Sequence, residues 1–115
     1  MKDEDYDAFD DGERLEGGIH TAVAAWCEDR AAAKLQYGPI ASWNTSEVTD
    51  MKQLFYLKAG FNEDISRWDV SNVTSLQHTF YGATSFTQQL GGAWTQSTAF
   101  MGFMFLLCPG GSIEG

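Results

Sequence analysis

The side chains of this chain that could do chemistry are two histidines, two cysteines and a scatter of carboxylates. His20 and His78 are the only imidazoles, and imidazole is the side chain that ordinarily titrates near neutrality. Neither stands in an evident Ser-His-Asp or Cys-His spacing, the arrangement nucleophilic catalysis uses. Asp64 and Asp69 flank Ile65 to Trp68, and paired carboxylates can act as general acid and base. Each aligns with an amide elsewhere in the chain, Gln89 and Asn44 respectively, so hydrogen bonding at turns is the better use. Cys27 and Cys108 are too few and too far apart in sequence to make a disulfide framework, and free thiols in apolar settings are expected. A calcium-loop pattern tried at Asp7 puts Gly12 at the required glycine. It then fails at Phe9 and Gly18, where oxygen ligands belong. Asn44-Thr45-Ser46 and Asn72-Val73-Thr74 satisfy the glycosylation sequon, but turn and cap formation explains the same residues. The chain is therefore read as a non-enzyme, with no catalytic, cofactor-binding or metal-ligating residue assigned and no cofactor.

Charge narrows the partners. The net charge of −9 disfavours nucleic acid, whose phosphates call for an excess of Lys and Arg. The acidity is concentrated: residues 1–16 carry eight acids against Lys2 and Arg14. Residues 1–18 are expected to be an acidic disordered tail. No apolar stretch follows Met1-Lys2 to mark a secretory signal peptide. The longest apolar run, Phe100 to Cys108, is far short of the roughly 20 residues a membrane helix needs, so no membrane span is expected.

What would position any functional side chain is a repeat. Residues 40–64 and 65–89 align without gaps and share eight identities, all large apolar residues or Ser/Thr. They are Ile40/Ile65, Trp43/Trp68, Ser46/Ser71, Val48/Val73, Thr49/Thr74, Phe55/Phe80, Tyr56/Tyr81 and Phe61/Phe86. A third, degenerate copy over 90–106 continues Leu90, Met101 and Phe105, but Trp94 arrives one residue late. Residues 107–115 are expected to be an irregular tail. Within each copy, Ser46 before Val48, Met51 and Phe55, and Ser71 before Val73, Leu76, Phe80 and Ala83, predict a short amphipathic helix with a serine N-cap. Gly60 and Gly82 stand where such helices would be capped at their C-terminal ends. Ile-x-x-Trp ahead of each predicts a brief extended segment ending at Asn44 or Asp69. One such unit cannot bury its apolar face alone, whereas stacked units can. The fold class expected is a mixed α/β solenoid, leucine-rich-repeat-like, with Trp43, Trp68 and Trp94 in one core ladder and Phe55, Phe80 and Phe105 in another. Ile19, Val23, Trp26 and Cys27 lie on one face of a predicted helix over 19–34. With its linker to residue 39 it would be an N-terminal cap for the first copy.

The segments "IASWNTSEVTDMKQLF" and "FNEDISRWDVSNVTSLQHTFYGATSF" resemble the BspA-like, Mycoplasma-type surface-lipoprotein repeat. The resemblance implies a leucine-rich-repeat-like solenoid, a role in surface adhesion or protein binding, and a cell-surface or secreted location. It supplies no catalytic residues. The function expected is thus a non-catalytic module for protein–protein or cell-surface interaction. The alternative is a structural spacer or a truncated remnant of a longer surface protein. Positions that differ between copies and should face water are the candidate partner contacts: Arg67, Asn72, Gln77 and His78. Phe100, Met101, Phe103, Met104, Phe105, Leu106 and Leu107 form an apolar patch with no polar cap after it. This edge is expected to be covered by further repeats, another copy or a partner.

Overall fold

The computed structural model describes residues 18–113. The acidic segment ahead of them, and with it the calcium-loop pattern at Asp7, lies outside the described residues. The remainder is elongated, with extents of 40 × 26 × 19 Å.

The chain opens with two helices, α1 (Gly18–Glu28) and α2 (Arg30–Tyr37). One helix was expected over 19–34; Asp29 divides it. Asp29 adopts an extended conformation, and its carboxylate accepts the Ala32 N–H at 3.1 Å, which restarts the helix as an N-cap. Gly38 ends α2, donating its N–H to the Lys34 carbonyl with φ of 80°. Ile19, Ala22, Val23 and Trp26 of α1 and Ala33 and Tyr37 of α2 are buried in the same core as the repeats.

The copies lie side by side in parallel register. Isolated parallel bridges join Asp50 to Ser75 and Ser75 to Phe100. The large residues repeat over one another. Trp43 stacks on Trp68 with ring centroids 6.2 Å apart, and Phe61 on Phe86 at 5.8 Å. Phe55, Phe80 and Phe105 form a continuous column at 5.3 Å per step. Trp43, Trp68 and Trp94 are all buried. The indole N–H groups of Trp68 and Trp94 donate to the Ile40 and Ile65 carbonyls of the preceding copy, at 2.8 and 3.1 Å, and that of Trp43 donates to the Gly38 carbonyl just ahead of the first copy, at 2.9 Å. The late arrival of Trp94 is absorbed by a 3-10 turn, Gly92–Gln96, so its ring still reaches the equivalent acceptor.

The short helices expected after Ser46 and Ser71 are absent. Residues 52–57, 77–82 and 102–107 are strings of overlapping turns. In the first, Leu54, Tyr56 and Lys58 donate to Met51, Gln53 and Phe55, three residues back. The intervening amides of Met51, Gln53, Phe55 and Leu57 donate instead to Ser75, Gln77, Thr79 and Tyr81 of the next copy. The second string repeats this, with Leu76, His78, Phe80 and Gly82 donating to Phe100, Gly102, Met104 and Leu106. Such alternation requires every fourth residue to turn left-handed: Gln53 and Leu57, His78 and Gly82, Phe103 and Leu107 all have positive φ. A string of four-residue turns still brings Val48, Met51, Leu54 and Phe55 into the core, which is why the spacing imitates a helix. Gly60 and Gly82 therefore cap no helix. Gly82 serves a left-handed turn, and a Cβ there would sit 2.4 Å from Leu57 Cδ2.

Residues 107–115 were expected to be irregular, yet within them Ser112–Ile113 (β2) pairs in parallel with Gln89–Leu90 (β1), bringing Ile113 beside Leu90. Cys108 is buried. Gly111 closes on Phe86, where a Cβ would meet the ring at 2.8 Å.

Candidate interaction surfaces

The turns that precede each string are fixed by side-chain carbonyls and carboxylates. Asn44 accepts the Ser46 N–H at 3.0 Å and Asp69 accepts the Ser71 N–H at 2.9 Å. Asp64 does the same for Ser66 and Asp50 for Lys52. The hydroxyl and backbone amide of Ser71 hold the Asp69 carboxyl below the usual carboxylate range. The backbone amide and hydroxyl of Ser66 do the same for Asp64, opposed by partial desolvation. Both carboxylates are thus turn-formers, and each is directed at a serine within its own loop.

Of the positions expected to contact a partner, Arg67 and Asn72 are exposed and Gln77 and His78 are half-buried. They do not converge. Asn72 donates its side-chain amide to the Ser46 carbonyl at 2.7 Å, tying two copies together. Arg67 stands in the turn ahead of Trp68. Gln77 and His78 share the second string of turns.

His78 belongs to a cluster that the sequence reading did not single out. Its ring stacks on exposed Phe103 at 5.7 Å and meets the edge of Tyr81 at 5.4 Å. Tyr81 stacks on Tyr56 at 5.0 Å. Tyr56, His78 and Tyr81 are half-buried and Phe103 is 65% exposed, so four rings form one aromatic strip on the surface. The signal was present in the identity Tyr56/Tyr81, which sits one residue past the buried Phe55/Phe80 pair. A helical period masked it.

A cleft of about 680 Å³ opens between the end of α1 and the loop 57–63. It is lined by Trp26, Cys27, Lys58, Phe61 and the ion pair of Arg30 with Glu63, whose N–O distance is 2.8 Å. Burial on one side raises the Cys27 thiol above its ordinary pKa, and the Lys58 ammonium pulls the other way. Cys108 is likewise raised by burial, and its sulfur lies 3.7 Å from the Phe86 carbonyl. Both cysteines are free. His20 is spent on architecture, its Nε2 lying 2.8 Å from the Lys52 carbonyl.

The apolar patch near the C-terminal end divides in two. Met104 is buried and Met101 and Phe105 pack half-buried against the core. Phe100, Phe103, Leu106 and Leu107 remain exposed, at 61%, 65%, 44% and 59%. Among the described residues no helix is long and apolar enough to cross a membrane.

This repeat architecture has a match among family models. Residues 28–109 fit the model described as "Mycoplasma protein of unknown function, DUF285", and the chain belongs to that family. No curated protein and no solved structure matches it.

Proposed function

We propose that the chain is a non-catalytic protein-interaction module: a short, leucine-rich-repeat-like solenoid closed at one end by α1 and α2. The observation that carries the reading is the surface strip of Tyr56, His78, Tyr81 and Phe103. Its rings are held by the same register that stacks the core. Large aromatic groups left half in water at fixed spacing supply contact area at little cost in side-chain entropy, and interface centres are enriched in them. The likeness to BspA-like repeats extends the proposal to a protein or cell-surface ligand bound in an adhesion-like manner.

The test compares the intact chain with a Tyr81→Thr, His78→Asn variant in pull-downs from cell-surface extracts, after matching their unfolding curves. Asn tolerates the left-handed backbone at position 78. Retention of a defined protein by the intact chain and its loss by the variant supports the reading. Equal retention by both removes the strip as the binding site, and retention by neither leaves the passive spacer as the better account.

A further inference from the structure

The edge formed by residues 101–107 has an unusual hydrogen-bond polarity. Every carbonyl from Phe100 to Leu106 is used within the chain. Those of Phe100, Gly102, Met104 and Leu106 accept from the second copy, and those of Met101, Phe103 and Phe105 accept from Met104, Leu106 and Cys108. The amides of Met101, Phe103, Phe105 and Leu107 meet no acceptor among the described residues. They are the counterparts of Met51, Gln53, Phe55 and Leu57, and of Leu76, His78, Phe80 and Gly82, all of which donate to the next copy. The edge is therefore a row of donors at alternate residues with no outward acceptor between them. It is rimmed by exposed Phe103, Leu106 and Leu107, and Phe105 has one ring face on Phe80 and is only half-buried.

We infer that this edge docks a segment presenting the complementary row of backbone carbonyls: a further coil of this same repeat type, uncapped by helices. Polarity excludes the simplest alternative. Two copies of the chain meeting edge to edge would oppose donors to donors. Head-to-tail pairing would need the carbonyl row of the first copy, and there His20 already occupies the Lys52 carbonyl. Trp26 and Tyr37 also cover Trp43, at 5.8 and 5.6 Å. An uncapped coil meets both demands. Its carbonyls match the donors, as in strand addition to an open edge, and its aromatic in the Phe55/Phe80/Phe105 column covers the open face of Phe105. The inference goes beyond the proposed function and involves a different face, so its readout does not depend on the aromatic strip.

The experiment is amide hydrogen exchange by NMR on the 15N-labelled full chain. The probe is a synthetic peptide with the sequence of residues 65–89, against a scrambled control. With the peptide at about ten times its dissociation constant, exchange at Met101, Phe103, Phe105 and Leu107 should slow roughly tenfold, because it proceeds from the free fraction. The scrambled peptide should leave those rates unchanged. A second form joins the same peptide to the C-terminus through a flexible Gly/Ser linker, offsetting the cost of ordering a free peptide. No slowing in either form overturns the inference. So does slowing without peptide that grows with protein concentration, which would identify a second copy as the occupant.

Discussion

At Phe80 the energetics of the fold are most concentrated. Its ring is fully buried, with Phe55 and Phe105 on its two faces and Phe86 at 4.3 Å. Truncating such a side chain removes transfer energy and leaves a cavity, so Phe80→Ala should cost about 3–5 kcal/mol in urea unfolding. Phe105→Ala should cost clearly less, because that ring is only half-buried. Equal costs would mean that the column is not the organising feature. Gly82 is a second sensitive point, for a backbone reason. Its φ of 71° suits glycine, and Leu57 leans over the place a Cβ would take. Gly82→Ala should therefore destabilise by more than about 1 kcal/mol, through strain and displacement of Leu57 together. The equivalent residue in the third copy, Leu107, has a φ of 59° and no such roof. Leu107→Gly should be neutral or mildly stabilising by the same assay.

The turns ahead of each string behave as interchangeable parts. Asn44 and Asp69 accept from serine amides two residues on, at equivalent positions, and only Asp69 titrates. Its pKa is depressed in the folded state, so its contribution is fully present above the unfolded carboxylate value, about pH 4, and is lost as pH falls through the lower folded value. Asp64 adds in the same direction. Asp69→Asn should keep stability at neutral pH and shrink the acid-side loss, whereas Asp69→Ala should lose stability at both. Melting temperatures across pH 2–7 separate the two outcomes. These turns were legible in the sequence because Asn and Asp do the same local work wherever they stand. The strings after them were not. Val48, Met51 and Phe55 carry a helical period, and local periodicity does not reveal that alternate amides will be claimed by a neighbouring copy. Gly82 opposite Leu57 was the clue to a left-handed position. Asp29 was likewise invisible as a break, since the alanines on both sides favour helix and its cap of Ala32 depends on the backbone turning at that residue.

The two ends of the stacked copies, among the described residues, are unlike. The repeat and its core ladders were readable because tryptophan and phenylalanine recur at a fixed interval, and only stacking buries them all. The aromatic strip was masked by the helical period around Tyr56 and Tyr81, and the donor edge was hidden because it arises from the hydrogen-bond direction between copies. At one end Trp26 and Tyr37 close over Trp43. At the other, Leu106 and Leu107 stand in water. In a proposed solenoid each copy is stabilised chiefly by its neighbours, so damage should spread from the end where it is made. A Val23→Asp, Trp26→Asp variant removes the closure of the first copy. Exchange protection should then fall first at Met51, Gln53 and Phe55, and persist longer at Leu76 and Phe80. A Leu106→Lys, Leu107→Lys variant alters exposed side chains only. It should lower the binding of a hydrophobic dye and leave protection unchanged at both sets of amides. If the first variant instead lowers protection uniformly from Met51 to Phe80, the copies unfold as one block. Closure by α1 and α2 would then be a property of the whole core rather than of the copy it touches.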